Sequence, residues 1–150
     1  MGYNRAMAAP RYEHFHHKAD IGVRGIGDTV EQAFAQAARG MFAVVCDLRR
    51  VRATAEVSVA CSAPDLELLL VDWLSALLLE AGSRRMLFSR FSVLIHEQDG
   101  GFALSGAARG EPVDRERHRP RVEVKAATWA ELAVGPLPDG RWVAQCVVDV

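Results

Sequence analysis

Residues 28–45 read DTVEQAFAQAARGMFAVV, and this stretch carries the clearest helical pattern in the chain. Its apolar side chains recur every three or four residues, which places them on one face of an α-helix and leaves the polar side chains toward water. The first residues offer two capping boxes, either Thr29 with Gln32 or Asp28 with Glu31. The sequence therefore predicts a helix with one buried apolar stripe, made of Val30, Ala33, Phe34, Ala37, Ala38, Met41, Phe42 and Val45.

The segments on either side of this helix predict strands and a second helix. Residues 11–26 alternate imperfectly and predict two short strands, and residues 51–61 alternate in the manner of a half-buried strand. Residues 62–65 are typical of a helix start with Pro64 in the first turn, and we expect this second helix to end at Gly82. It is apolar nearly all round, which predicts a helix that is sandwiched centrally or covered by a partner.

The remainder of the chain reads mainly as short strands joined by turns that contain Gly, Pro and Asp. No internal boundary, linker or repeat interrupts it. The predicted features are strands at 91–95 and 102–104 around a turn at 98–101, a loop rich in Arg and Pro at 110–120, a strand at 122–129, and a turn at 138–140 that leads into a strand at 141–150.

Together these patterns predict the α+β class. We expect a single compact domain in which two main helices pack on a mostly antiparallel or mixed β-sheet. At 150 residues the chain is long enough to bury about two-thirds of its unfolded surface without disulfides or metals as supports. We place the domain at residues 12–150 and interpret residues 1–11 as a flexible N-terminal extension.

The overall charge and the cysteines limit the classes of function. The formal net charge is only −1, whereas a stand-alone nucleic-acid binder usually has a clear basic excess. The three cysteines, at positions 46, 61 and 146, form no CxxC pair, which argues against a disulfide framework or a zinc finger and favours a reducing cytoplasm. The most apolar segment, residues 66–79, contains acidic side chains and is too short to span a bilayer, so no membrane role is expected.

An aspartate near each end of the chain supplies the candidate functional site. Asp20 lies within residues 16–22, which read HHKADIG, and Asp149 precedes Val150 with its terminal carboxylate. If folding joins the two ends, these hard oxygen ligands suit Mg²⁺ or Ca²⁺. Because the chain has 19 acidic residues, chance placement is the competing explanation at this point.

Glycines before the first helix raise the question of a phosphate-binding loop. A dinucleotide-binding fingerprint requires glycine where Val30 stands, and the Lys-Ser/Thr pair of a P-loop is also missing. Asp28 puts a negative charge at the helix N-terminus, where it disfavours a phosphate. We therefore interpret these glycines as tight backbone turns; they are Gly22, Gly25 and Gly27.

Charged residues between the second helix and the chain end give two weaker candidates. Glu123 and Lys125 are predicted on one strand face, where they either pair with each other at the surface or tether Asp20 or Asp149. An extended segment before them would aim four arginines toward a phosphate backbone or an acidic protein surface, and a solvated loop is the alternative. These arginines are Arg115, Arg117, Arg119 and Arg121.

A series of short motifs resembles the archease family in both content and order. The first motif, residues 17–29, includes HKADIGVR and GDT. Each motif is short, but the ordered set extends over residues 12–150, which makes the resemblance specific. The later motifs are DLE at 65–67, DWL at 72–74, GEP at 110–112, His118, EVKA at 123–126 and VDV at 148–150.

The resemblance implies a function and a set of site residues. Archeases are small α+β proteins that assist the GTP-dependent RNA ligase RtcB, promoting its guanylylation and repeated turnover in tRNA splicing and RNA repair. The same non-enzymatic role is implied here, with RNA met only through the ligase and no catalytic residue in this chain. Asp20, Asp149 and Val150 are implied to bind a divalent cation, which is Ca²⁺, Mg²⁺ or Mn²⁺. The implied ligase-facing candidates are His17, Glu123 and Lys125.

Two departures from the family pattern, and two other functions, stay open at this point. Lys18 stands where the family usually has threonine, and its ammonium would compete with a cation if it reached Asp20. Trp129-Ala130 stands where a Tyr-His pair is common. The other functions are a metal-dependent phosphoesterase acting alone through the two aspartates, and a chaperone-like module that uses the apolar second helix. The oligomeric state is not predicted.

Overall fold

A computed structural model describes residues 9–150 of the chain. Of the extension expected at residues 1–11, residues 1–8 lie outside this described part, and the first strand already begins at Arg11. The described strands are β1 Arg11–His17, β2 Asp20–Gly27, β3 Ala55–Ala63, β4 Met86–Gln98, β5 Gly101–Pro112, β6 Ala126–Ala127, β7 Ala133–Pro136 and β8 Trp142–Asp149. The helices are α1 Val30–Val45, α2 Leu66–Arg84, α3 Arg115–His118 and a 3₁₀ helix at Leu48–Arg50.

The strands form two sheets, and every strand pair in the described residues is antiparallel. One sheet has the order β1-β2-β8-β6, with β7 also paired to β8, and the other has the order β3-β5-β4. Helix α1 packs on β2, β4 and β8, while α2 packs on β3 and β5, so the two helices join both sheets into one core. The predicted α+β class is confirmed.

Helix α1 forms as its sequence predicts. The Thr29 hydroxyl accepts a hydrogen bond from Gln32 N at 3.1 Å, and the Gln32 side chain accepts one from Asp28 N at 2.7 Å. Of the two predicted capping boxes, the one led by Thr29 is therefore correct. The helix buries the side chains of its apolar stripe, among them Phe34 and Met41.

The glycines of β2 serve close packing and not turns, so their predicted role is wrong. A Cβ added to Gly25 would collide with the backbone of Ala33 and Ala37 in α1, and one added to Gly22 would collide with the Phe15 ring. Helix α1 lies so close to β2 that a side chain at position 25 has no space. These glycines are consequently required for helix-on-sheet contact and for cross-strand ring packing.

Helix α2 starts as expected and ends later than expected. The Asp65 carboxylate caps it by accepting from Leu68 N at 2.8 Å, so Pro64 precedes the cap and is not in the first turn. Gly82 lies inside the helix, which ends where Arg85 adopts a left-handed conformation with φ 55°. The predicted end at Gly82 is wrong because the last turn stays helical although it is exposed, with Arg84 Nε donating to Glu80 Oε1 at 2.6 Å across it. The indole of Trp73 donates to Phe34 O of α1 at 3.1 Å and ties the two helices together.

The hairpin of β4 and β5 confirms the predicted turn at 98–101. Asp99 and Gly100 both have positive φ, 50° and 79°, which is the backbone that a two-residue hairpin turn requires. The strands extend well beyond the predicted 91–95 and 102–104, because small residues such as alanine and glycine in β5 carry little strand signal of their own.

The region between β5 and β8 differs most from expectation. Strand β5 continues past the predicted start of the loop at 110–120, and α3 occupies its middle, so that prediction is wrong. The strand predicted at 122–129 is reduced to the two residues of β6, and β7 had no predicted counterpart. The physical reason lies before β6, where Arg121 N donates to Val45 O at the end of α1 at 2.7 Å instead of joining a strand ladder.

One part of the apolar surface of α2 is not covered by the rest of the fold. Leu69, Leu70, Trp73 and Leu74 are buried in the core, whereas Leu79 is 69% exposed. The prediction of a centrally sandwiched helix therefore holds for most of its circumference and fails at Leu79. Within residues 9–150, no helix has the length and apolar character needed to cross a bilayer.

Candidate functional site

The start of β2 and the C-terminal end of the chain meet because β2 and β8 are neighbours in the sheet. Ile21 pairs with Val148 in this ladder, and the same register continued by one residue sets Asp20 across from Asp149. Val150 N donates to Asp20 Oδ1 at 3.3 Å, which joins the start of β2 to the residue after β8. The pairing of two strands that are distant in sequence thus brings the two predicted aspartates to one end of the five-stranded sheet.

Two further predicted residues lie beside this pair. His17 is the cross-strand partner of Asp20 in the β1–β2 hairpin. Lys125 N donates to Asp149 O at 2.8 Å, immediately before β6 pairs with β8. We call the cluster of His17, Asp20, Lys125, Asp149 and Val150 the acidic tip. Its members come from β1, β2, β8 and the segment before β6.

Glu123 is not placed in the acidic tip by any contact of the described residues. It precedes β6, outside any strand, and lines a groove beside Leu78 and Ala81 of α2. The expectation that Glu123 and Lys125 share a strand face is therefore wrong, and they form no ion pair within residues 9–150. Its suggested ligase-facing role stays a prediction.

A cross-strand row next to the acidic tip fixes the register that the tip depends on. The Arg24 side chain donates to Gln145 Oε1 at 2.8 Å and to Glu13 Oε1 at 3.2 Å, so it spans β1, β2 and β8. The same guanidinium lies 4.6 Å from the centre of the Phe15 ring. These contacts hold three strands together four residues along from Asp20.

The chemistry of the acidic tip fits a divalent cation. Its acidic members are carboxylates, and hard oxygen donors of this kind are the ligands that Mg²⁺ and Ca²⁺ prefer. In the described part of the chain, no three His, Cys, Asp or Glu side chains form a group that could hold a metal ion. A cation at Asp20 and Asp149 would therefore need an oxygen from Val150 and from water or a partner to complete its shell.

Lys18 does not neutralise the site by pairing with Asp20. It occupies the β1–β2 turn in a left-handed conformation with φ 55°, and no ion pair links it to Asp20 in the described residues. A non-glycine residue adopts this conformation at an energetic cost, and here it lies in the turn between the paired strands β1 and β2. The competition that the sequence raised is thus absent from this arrangement.

A buried ion network holds α3 and the segment around Arg52 against the end of β5. The Glu111 carboxylate, 6% exposed, accepts hydrogen bonds from Arg117 Nη1 at 2.7 Å and Nη2 at 2.8 Å and from Arg52 N at 2.7 Å. Asp114 N donates to His118 Nδ1 at 2.9 Å, so His118 Nε2 carries the proton that it donates to Glu111 Oε2 at 2.9 Å.

The network also explains why the four arginines predicted to point one way do not do so. The hydrogen bonds from the Arg117 guanidinium hold the pKa of Glu111 well below its usual range. Burial of the carboxyl raises this pKa, but the bonds from Arg52 N and His118 add to the lowering effect of Arg117. Arg117 is folded onto Glu111, and Arg121 donates to Ala43 O at 2.7 Å, so these arginines do not point one way from an extended segment. The expectation of a common direction is wrong because the chain forms α3 here.

The cysteines supply no nucleophile at neutral pH. Burial raises the pKa of the Cys146 thiol to about 12 and that of Cys61 to about 11, and it raises the pKa of Cys46 as well. A thiol in this range stays protonated, and the thiolate is the reactive form. All three cysteines are free, which agrees with the expectation that they form no disulfide.

Trp129 is a candidate that the sequence pattern did not single out as a surface residue. It is 70% exposed and lies between Thr128, whose N and Oγ1 donate to Val147 O, and Ala130, whose O accepts from Val147 N. An exposed indole is a common anchor in protein interfaces. The predicted strand at 122–129 did not identify Trp129 as exposed, because alternation alone does not show which face of a strand is covered by other elements.

The fold and the site define a class of protein: a small α+β domain whose two antiparallel sheets share two core helices and whose chain ends form an acidic tip. The archease protein family (MTH1598/TM1083) matches residues 12–150. Protein archease from Pyrococcus furiosus is 41% identical over 140 residues, covering 93% of this chain and 99% of the relative. The Thermococcus gammatolerans archease is 42% identical over 140 residues, with the same coverage of 93% and 99%.

A solved structure agrees with these relatives. The solution structure of Methanobacterium thermoautotrophicum protein 1598 is 37% identical, covers 93% of this chain and 98% of that one, and superimposes with a TM-score of 0.82. The present chain belongs to the archease family. The resemblance drawn from the ordered motifs is thereby confirmed, as is the fold that it implied.

Proposed function

We propose that this protein is a non-enzymatic activator of an RtcB-type, GTP-dependent RNA ligase, acting in the cytoplasm in tRNA splicing or RNA repair. The observation that carries the proposal is the convergence of Asp20, Asp149 and Val150 at one end of an archease-family domain. The three free cysteines support a reducing compartment. Their raised pKa values also give no support to cysteine-based catalysis.

The acidic tip would work by presenting a divalent cation to the ligase. Asp20, Asp149 and Val150 would hold this cation, which when bound supplies positive charge that stabilises negatively charged phosphate groups during guanylylation. The protein's own part is to keep these ligands in place. The Val150 N–Asp20 bond and the Lys125 N–Asp149 bond fix the carboxylate-bearing backbone before the ligase arrives.

The residues around the tip would contact the ligase. His17 pairs with Asp20 across the hairpin and Lys125 is bonded to Asp149 through its backbone, which supports both as residues that would meet a partner at the tip. The exposed indole of Trp129 offers apolar contact area near the same end of the sheet. Glu123 lines the groove beside α2, two residues before Lys125, and would contact the ligase only where the docking surface extends onto that groove.

Multiple-turnover ligation by RtcB tests the proposal. Adding the wild-type protein should raise the number of turnovers, and Asp20→Asn or Asp149→Asn should reduce this stimulation by roughly tenfold or more, since a ligand change weakens metal binding by at least that order. Asp99→Asn is the matched control. It makes the same charge change in the hairpin turn of the other sheet, where asparagine also tolerates the left-handed backbone.

Three other outcomes would contradict the proposal. A folded wild-type protein that gives no stimulation would remove the activator role. Turnover of RNA in Mn²⁺ without the ligase, lost in the two aspartate variants, would favour the phosphoesterase. Ligase stimulation that survives both aspartate substitutions and removal of divalent ions would favour a chaperone-like module acting through α2.

A further inference from the structure

A pocket of about 460 Å³ lies between α1, the 3₁₀ helix and the edge strand β4, on a different part of the surface from the acidic tip. Each of these three elements contributes one arginine to it: Arg39, Arg49 and Arg90. We call it the arginine pocket. None of the described residues that line it is acidic, and the remaining lining is mainly apolar, from Leu48, Val51 and Phe91.

The arginines of this pocket are only partly neutralised by neighbours. Arg49 bonds to the Asp47 carboxylate through Nη2 at 2.9 Å and Nε at 3.1 Å, and this bond lowers the pKa of Asp47 to about 2. Arg39 has neutral neighbours, since Nη1 donates to Gln36 Oε1 at 3.4 Å and the guanidinium lies 5.5 Å from the centre of the Tyr12 ring. Positive charge in the pocket therefore exceeds negative charge.

Arg90, at the edge of the pocket, has another arginine as its cross-strand neighbour. It pairs directly with Arg109 across β4 and β5, in a part of the hairpin that follows a register shift after Phe88. Two like charges opposite each other on a sheet are unfavourable, and an anion bound near them would relieve the repulsion. Glu56 of β3 is the other cross-strand partner of Arg109, so the excess of positive charge is limited to the pocket and the Arg90–Arg109 pair.

The donors in the pocket are suited to phosphate. Guanidinium groups present planar pairs of N–H donors that match phosphate oxygens, and they keep their charge at every physiological pH. The hydroxyl of Ser89 is already used, because it donates to Val51 O at 3.0 Å. Binding would therefore depend on the arginines, and selectivity would follow from charge and shape.

The pair of Arg39 and Tyr12 favours nucleic acid over an acidic protein as the ligand. The Arg39 guanidinium lies 5.5 Å from the centre of the Tyr12 ring, and bases of single-stranded RNA stack on arginine planes, a contact that a carboxylate-rich peptide cannot make. Phe91 adds no stacking surface, because its ring packs on Phe42 at 5.6 Å between centres. The net charge of −1 conceals this site because acidic residues elsewhere balance the arginines.

We propose that the arginine pocket binds the phosphate backbone of single-stranded RNA, with Arg39, Arg49 and Arg90 as the phosphate-contacting side chains. This direct contact differs from the expectation that RNA meets the protein only through the ligase. It concerns the isolated protein and does not depend on the activator function.

Fluorescence anisotropy of a labelled single-stranded RNA, titrated with the protein alone, tests this site. With three phosphate contacts, affinity should fall roughly twentyfold when monovalent salt is raised from about 50 mM to about 200 mM. The double variant Arg39→Gln/Arg90→Gln should bind roughly tenfold or more weakly and show a shallower salt dependence, with the slope reduced by about 1.4. Arg115→Gln, an exposed arginine of α3 outside this pocket, should bind like wild type.

The single variant Arg90→Glu guards against misfolding, because Arg90 is exposed and its side chain is not part of the core. It should reduce RNA affinity without lowering the thermal unfolding midpoint, because it also removes the repulsion between Arg90 and Arg109. Wild-type affinity in the folded double variant would overturn the proposal. So would absence of binding at about 50 mM salt, where counterion release favours it most. Equal competition by poly-glutamate at matched charge would assign the pocket to an acidic protein and also overturn it.

Discussion

Glu111 is the residue on which the path of the chain between β5 and β6 depends. Its carboxylate accepts bonds from Arg117, His118 and Arg52 N, so one side chain holds both α3 and the segment after α1. Because the carboxylate is nearly buried, removing its charge leaves these donors without their partner. The position of α3 follows from this contact, whereas Lys125 is held at the acidic tip by its own backbone bond to Asp149.

The substitution Glu111→Gln tests that dependence. At neutral pH it should lower the free energy of unfolding by roughly 2–3 kcal/mol, the range for hydrogen bonds to a charged group. The folded-state pKa of Glu111 is depressed, chiefly by Arg117, so the charged form stabilises the fold above its ordinary value of 4.5. That contribution is lost as pH falls through the lower folded-state value. The difference between variant and wild type should accordingly shrink in acid.

Denaturant unfolding across pH measures this difference. Glu97→Gln, an exposed glutamate of β4, is the control and should change stability by no more than about 0.5 kcal/mol. A Glu111→Gln protein as stable as wild type at neutral pH would show that the network is not needed for folding.

At the scale of elements, the five-stranded sheet packs against α1 mainly through β2. Val23 and Cys146 are fully buried beneath α1, and Gly25 lets the helix backbone approach the strand. The same two strands, β2 and β8, carry Asp20 and Asp149 at their ends. Helix packing and site assembly are therefore properties of one strand pair.

A pair of glycine-to-alanine substitutions tests this contact and the corrected end of α2. Gly25→Ala should destabilise the protein by about 3 kcal/mol or more, because the new methyl group meets helix backbone that has no room to move. Gly82→Ala should stabilise it by about 0.5–1 kcal/mol, since Gly82 lies within α2 and nothing lies within 4 Å of an added Cβ. Thermal unfolding of both variants gives the comparison. Destabilisation by Gly82→Ala would place Gly82 at a helix end after all.

Elements with strong periodicity were predictable, and those held by distant contacts were not. The apolar spacing of α1 predicted the helix, and its two candidate capping boxes placed the start within one residue, with Thr29 as the cap in the structure. The segment from Arg115 to Lys125 resembled a loop and a strand because the sequence pattern does not show that Glu111 captures Arg117 and His118. Long-range bonds of this kind override local alternation.

The candidate site shows the same division. The ordered motifs indicated Asp20 and Asp149, but chain order does not reveal that β2 and β8 are adjacent, which is what joins them. Glu123 was grouped with Lys125 by an alternation that the fold does not adopt. The arginine pocket draws one residue from each of three elements, so no local motif announces it.

At the scale of the whole molecule, two sheets and two helices form one frame with an acidic surface and a basic surface at separate places. The five-stranded sheet ends in the acidic tip, and the edge of the three-stranded sheet borders the arginine pocket. An activator of an RNA ligase would use the first surface toward the enzyme's phosphate chemistry and the second toward the RNA strand. The frame keeps the two charges apart, which prevents them from neutralising each other.

Calorimetric titration with Mn²⁺ tests the central claim, that the paired chain ends form one divalent-cation site. Wild-type protein should bind about one ion per chain through the oxygens of Asp20, Asp149 and Val150, and Asp20→Asn and Asp149→Asn should each weaken binding by roughly tenfold or more. Asp99→Asn should bind as wild type does. Equal Mn²⁺ affinity in wild type and in both tip variants would contradict the account, because the cation would then be held elsewhere.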